Sequence, residues 1–199
     1  MRAALLAALS LLPPATTAAK PAPDDVPGPA PASSDGSSAF LTVEEALELA
    51  FPKCVVERGT IYLKEAHKKR VRELAKVAFD AGIVFPYVAR RDGKVVGTAY
   101  FDTHKVRTLR QTLMVVVGTD GKIARTELLS FAEPQDYIPR GSWYAQFLRR
   151  QLDDELALKR GIRGVTGATL TARATTAAAR RVLALHQVLA ETAREREHK

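Results

Sequence analysis

The chain has 199 residues, a formal net charge of +8, 46% hydrophobic residues and a single Cys. That length implies one domain with a tail, the hydrophobic content excludes a wholly disordered chain, and one Cys excludes a disulfide framework or a Cys-rich zinc or iron–sulfur site. The basic balance favours acidic partners such as phosphates, nucleic acid or an anionic membrane without choosing among them.

Arg2 is a short basic start, Ala3 to Leu12 is an apolar run broken only by Ser10, and Pro13-Pro14 ends it. Thr17-Ala18-Ala19 supplies small residues at a cleavage point, so residues 1–19 read as a secretory signal peptide, too short for a membrane span of roughly 20 apolar residues. Residues 20–38, rich in Pro, Ala, Ser, Gly and Asp, read as a flexible tether. The folded domain is expected over 39–190 and a charged tail over 191–199. The lone thiol, Cys54, is compatible with export and reads as a small hydrophobe.

Thr42 with Glu45 forms a capping box, and the helix it opens stops at Pro52. Val55 to Leu63 reads as strand and Glu65 to Phe79 as helix, with Val71, Leu74, Ala75 and Ala78 as its apolar stripe. Two hairpins follow. The first runs from Ile83 to Phe101 about Asp92-Gly93, and the second from Thr112 to Phe131 about Asp120-Gly121. The similar units suggest a meander. A short helix is expected from Ser142 through Leu152, and a long one from about Ala172, its Ala178, Val182, Leu185 and Leu189 facing the sheet. The order predicts an α+β domain: an antiparallel sheet of hairpins packed with helices.

The informative segment precedes the last helix, at Arg163-Gly164-Val165-Thr166-Gly167-Ala168-Thr169-Leu170-Thr171. Gly164, Gly167 and Ala168 remove side-chain bulk, while Thr166, Thr169 and Thr171 offer hydroxyls. Thr171 reads as the N-cap, which points the helix dipole at the same place, and Arg173 adds a cation. Spacing alone also fits an ordinary small-residue turn with a cap.

Thr166-Gly167-Ala168-Thr169-Leu170-Thr171 resembles the (S/T)-G-A-T-x-(S/T) signature of the FMN-binding domain family, which includes flavin subunits of Rnf-type and Na+-translocating NADH:quinone reductase complexes. Phe51-Pro52, Leu63, the hairpins, Glu133 after an apolar strand and the motif at the head of a C-terminal helix fit the family's usual order. The resemblance implies FMN esterified through its phosphate to Thr169 by a flavin transferase that uses FAD, and Gly164 also matches. One position departs. Where the family has Asp, six residues before the modified Thr, this chain has Arg163. The local charge is inverted, so the resemblance supports flavin binding more strongly than covalent attachment, and Arg163 is placed to pair with the phosphate of a non-covalently held FMN.

Tyr137, Trp143 and Tyr144 are aromatic candidates for the walls of an isoalloxazine, with core or rim packing as the alternative. Glu133 is placed to position either a polar edge of the flavin or a backbone loop, with an exposed turn acid before Pro134 as the alternative. Asp102 to Arg107, with Arg110, reads as an anion-facing strand end or loop, or as plain solvated surface. The leading expectation is an exported FMN flavoprotein on the periplasmic side, relaying electrons to membrane or periplasmic partners, more a carrier than a stand-alone enzyme. The alternatives are a binding module of the same fold that has lost flavin and a small flavin-dependent reductase. Nucleic acid is disfavoured, since the basic residues lack interleaved aromatics.

Overall fold

The computed structural model describes residues 40–197. The expected signal peptide, the tether and the last two residues lie outside the described residues. Helix α1 (Val43–Ala50) opens on the expected capping box: Thr42 Oγ1 accepts from the Glu45 amide at 3.2 Å, and Glu45 Oε2 accepts from the Thr42 amide at 2.8 Å. The expected strand over 55–63 is two strands, β1 (Val55–Arg58) and β2 (Ile61–Tyr62), parted at Gly59-Thr60. Helix α2 (Glu65–Ala75) ends before Phe79, because Lys76 turns left-handed (φ 56°) and Arg72 Nη1 donates to the Phe79 carbonyl at 3.0 Å.

β3 (Ile83–Val84) and β4 (Tyr87–Arg91) split the first arm of the expected hairpin at Pro86, which lacks a donor to continue a ladder. β4 turns through Asp92 (φ 51°) and Gly93 (φ 75°) into β5 (Lys94–Lys105). β6 (Arg110–Gly118) and β7 (Ile123–Phe131) follow, the second Asp-Gly turn lying between them. The main sheet has five strands in the order β1-β4-β5-β6-β7, all pairings antiparallel; β2 and β3 form a separate two-stranded sheet. After β7 come a 3-10 turn (Gln135–Tyr137), α3 (Gly141–Tyr144) and a second 3-10 turn (Ala145–Phe147). The short helix therefore stops before Leu152. The last helix, α4 (Thr169–Glu197), begins at Thr169 rather than near Ala172 and continues into the segment expected as a tail.

Both sheet faces are covered, which makes β6 a nearly continuous apolar run. Leu113, Val115 and Val117 face α2 and α4, while Met114 and Val116 face α1. On the α1 side, a Cβ at Gly97 would meet Phe51 Cε1 and the Val117 carbonyl oxygen, each at 3.1 Å, so the close seating of Phe51 requires glycine there. On the other side α4 presents Ala172, Thr175, Thr176, Ala178 and Ala179, all buried, and so lies close to the sheet.

α4 is tied down by two arginines. Arg180 is 8% exposed and donates to the carbonyls of Ala75 (2.7 Å), Asp153 (2.7 Å) and Leu156 (3.0 Å), joining α2 and the 148–168 loop to the helix. Arg181 makes a two-pronged pair with Asp102 (2.9 and 2.7 Å). Asp102 also meets His104 Nδ1 at 2.7 Å. Burial works to raise the Asp102 carboxyl, but His104 and Arg181 outweigh it and hold it at about 2. The run 102–107 is thus not plain solvated surface. Its Asp and His are internal, and Gln111 continues the chain of contacts to His104 (2.7 Å) and to Thr175 of α4 (3.0 Å).

Arg180→Met is expected to lower stability by about 3 kcal/mol, since three buried carbonyls lose a charged donor. Urea unfolding checks this: the midpoint falls with an unchanged slope. An unchanged midpoint would show that water replaces the guanidinium.

Candidate functional site

The segment that opens α4 is positioned from below. Trp143 Nε1 donates to the Arg163 carbonyl at 2.7 Å, and the Arg163 amide donates to Gln146 Oε1 at 2.9 Å. The chain then turns at Gly167, whose φ of +83° suits glycine. The Ala168 amide donates to the Val165 carbonyl at 3.2 Å, and the Ala168 carbonyl accepts from the Ala172 amide at 2.9 Å. Ala168, not Thr171, is therefore the residue that starts the helix. The positive φ at Gly167 turns the chain four residues before the expected cap, Thr171. The distinction has a chemical consequence: Ala168 carries no side-chain acceptor, so the first helical amides receive no cap from it and keep their capacity for an anion.

Thr171 instead sits in the first turn of α4, 1% exposed, and its hydroxyl has no hydrogen-bond partner. It lines a cleft of about 200 Å³ together with Gly167, Ala168, Thr169 and Leu170 on one side. Val106, Arg107, Glu133 and Tyr137 line the other side. A buried, unpaired hydroxyl costs about 1–3 kcal/mol unless something fills its need, so the orphaned Thr171 oxygen marks the cleft as a place for a polar ligand. Thr169 is exposed, and its Oγ1 donates to the Val165 carbonyl at 3.3 Å, leaving its lone pairs toward solvent.

Glu133 builds the opposite wall. It is 7% exposed, and its Oε1 accepts from the amides of Arg107 (3.2 Å), Thr108 (2.6 Å) and Leu109 (2.7 Å) and from the Thr108 hydroxyl (3.2 Å). The Leu109 and Thr108 amides hold its carboxyl below the ordinary carboxylate range. Of the two roles open to Glu133 from sequence, the geometry is that of positioning a loop. One acidic side chain fixes the β5–β6 turn and so places Arg107 on the cleft.

The site thus gathers six of the nine residues singled out from sequence: Glu133, Gly167, Ala168, Thr169, Leu170 and Thr171. Arg163, Gly164 and Thr166 are exposed and lie outside its lining. Arg173 is likewise exposed and outside it. Trp143 and Tyr144 are buried, packed edge to face at 5.2 Å, and serve the core, whereas Tyr137 stands at the cleft. The cation on the lining is Arg107. Its signal in sequence was its place in a basic run, but its partnership with the motif depends on Glu133, which lies far along the chain.

Helix amides without a side-chain cap, an orphaned hydroxyl and one arginine make a receptor for a phosphate, and the exposed Thr169 oxygen borders it. The cleft falls below the roughly 300 Å³ that encloses a whole drug-sized ligand, so it suits the phosphate end of a larger molecule. Residues 110–184, from β6 through most of α4, match the model of the FMN-binding domain family. No curated protein and no solved structure matches the chain significantly. The match supports flavin binding. This stretch is similar to FMN-binding domains, which supports FMN as the cofactor, and the unpaired Thr171 hydroxyl and Arg107 are groups that a phosphate would answer.

Removing the Glu133 carboxylate should release the wall. In Glu133→Ala the amides of Thr108 and Leu109 are expected to lose protection in hydrogen exchange while those of β6 keep theirs. In the native protein the same protection should be complete above the ordinary carboxylate pKa and lost as pH falls through the depressed value of Glu133. Protection factors that ignore both changes would show that the turn holds itself.

Proposed function

We propose that this protein is an exported electron carrier that seats the phosphate of FMN at the head of α4, with Thr169 as its point of attachment. The observation that carries the reading is the buried, unpartnered Thr171 hydroxyl beside uncapped helix amides and Arg107. Bound FMN supplies the electron-accepting and electron-donating chemistry. The protein's own residues bind and orient: the Thr171 hydroxyl and α4 amides donate to phosphate oxygens, Arg107 balances charge, and Glu133 holds the turn that carries Arg107. Leu170, 45% exposed, and Tyr137 border the cleft and offer apolar surface to a flat ring that extends beyond it.

Attachment needs no group from the rest of the domain. The Thr169 oxygen bonds to the FMN phosphorus of FAD, the bond from that phosphorus to the AMP oxygen breaks, AMP leaves, and the hydroxyl proton is released. A flavin transferase as partner would direct this step. The exposure of Thr169 and its hydrogen bond to Val165 support such access. Export is supported by the basic start, apolar run and small residues of 1–19, and a periplasmic position facing membrane electron-transfer proteins follows from it. No helix among the described residues is long and apolar enough to cross a membrane.

A second reading keeps FMN without the ester bond. It is favoured by Arg163, which stands where the family has the acid of the transferase motif.

The full chain co-expressed with a flavin transferase should be yellow. Colour that survives denaturation and disappears in Thr169→Ala establishes the ester, and Arg163→Asp should raise its occupancy. Colour released on denaturation establishes the non-covalent form, in which Thr171→Val should weaken FMN binding about tenfold, the worth of one hydrogen bond to a charged group. A colourless protein that fails to take up FMN in titration overturns the flavin reading.

A further inference from the structure

A second cavity, of about 530 Å³, lies apart from the FMN cleft, where the main sheet comes open. The last pair between β4 and β5 is Tyr87 with Ala99, yet β5 runs on to Lys105. Pro86 turns the chain away, and Ile83 and Val84 pair with β2 instead of β5. Among the described residues no strand therefore pairs with Tyr100 to Lys105 on this side, while β6 pairs with them on the other, through to Lys105 with Arg110.

The register says which main-chain groups are unpaired. The Val106 amide donates to the Leu109 carbonyl at 3.0 Å, which fixes the alternation of the β5–β6 ladder. Asp102 and His104 direct their main-chain groups to β6. Phe101, Thr103 and Lys105 direct theirs into the gap. The close Thr103–Thr112 hydroxyl pair at 2.9 Å fits the narrow, non-hydrogen-bonded positions this requires.

The two faces of the gap differ in chemistry. One carries Phe101 and Tyr87, packed edge to face at 5.1 Å, and the other the Asp102–Arg181 pair. Arg181 spends Nε and Nη2 on Asp102. At the ends, Arg58 stacks on Phe85 at 4.0 Å and Lys105 is exposed; neither has a carboxylate partner among the described residues. The rim acid, Asp80, already faces Lys68 at 3.6 Å.

An open row of main-chain donors and acceptors is answered by another main chain, which a small aromatic molecule cannot supply. We propose that the open edge of β5 from Phe101 to Lys105 is a docking site for an extended, acidic segment of a partner protein, which adds a strand to the sheet. Its alternate side chains meet the aromatic face and the arginine face, and its carboxylates answer Arg58 and Lys105. The proposal does not depend on FMN, since the cleft at the head of α4 is separate from it.

The test pans a displayed library of linear peptides against the full chain and resynthesises the enriched sequence. It should be acidic, with apolar residues at every second position, and bind more weakly as salt rises. Binding should protect the amides of Phe101, Thr103 and Lys105 from exchange. N-methylation of alternate peptide amides should weaken binding about tenfold, and methylation of the intervening ones should leave it unchanged. Thr103→Pro, which removes a gap-facing donor and no main-chain bond to β6 but also the hydroxyl pair with Thr112, should weaken it similarly, with Thr103→Val as the control for the lost hydroxyl; the methylated peptides test the native protein should the proline variant misfold. Failure to enrich any sequence, indifference to methylation, competition by FMN, or a dimer in sedimentation that protects the same amides would each overturn the proposal.

Discussion

The close seating of α4 on the sheet organises the molecule. It depends on small side chains: Ala172, Thr175, Ala178 and Ala179 let the helix axis approach the apolar face of β5 and β6, and larger residues would hold it off. Once that distance is set, Arg180 can reach three backbone carbonyls on α2 and the 148–168 loop, and Arg181 can reach Asp102 on β5. Arg180 is buried and Arg181 part-buried. Both are held by fixed acceptors of the protein, so they specify the position of the helix along its own length as well as its distance. The register of α4 decides where its first turn falls, and with it the cleft that this turn lines.

The cleft illustrates how an acidic residue can serve an anion site. Glu133 lies beside the place proposed for a phosphate and would repel it if left free. Its charge is answered by three consecutive amides and a hydroxyl of the β5–β6 turn, so the negative end is already engaged while the turn delivers Arg107 to the lining. Opposite it, the head of α4 contributes amides that no side chain caps. The arrangement concentrates donors on one small volume, and the unpartnered Thr171 hydroxyl shows that the domain's own groups do not exhaust them.

Local chemistry made some of this legible in the sequence. The Thr42–Glu45 capping box, the Asp-Gly turns and the small-residue motif before α4 are decided by neighbours in the chain, and each appears where expected. What escaped were consequences of distant contacts. Thr171 has the side chain of a cap, but the positive φ at Gly167 had already turned the chain, so the hydroxyl is a buried, unpaired group of a residue that lines the cleft. Trp143 looked available for a flavin and is instead committed to the Arg163 carbonyl. The bond from Glu133 to the Thr108 amide crosses a whole hairpin, and no pattern along the sequence announces it. Pro86 could be read as a break in a strand, but not as the origin of an open edge, because that depends on β5 running past its neighbour.

The cleft and the open edge share α4, at different stretches of it, and meet where β5 ends. The cleft uses the first turn of α4 and the turn after β5, while the edge cavity uses Arg181, Val182 and Leu185 and the strand before that turn. Between them runs the internal series Thr175–Gln111–His104–Asp102–Arg181, each member within hydrogen-bond distance of the next. Gln111 is wholly buried. Its amide nitrogen faces both His104 and Thr175, and its Oε1 is unpaired. Turning the amide over would give Oε1 the Thr175 hydroxyl as a donor but orphan the nitrogen instead, so neither orientation satisfies every group. The series thus joins the two regions through side chains fixed on β5, β6 and α4, from Thr175 at one end to Arg181 at the other.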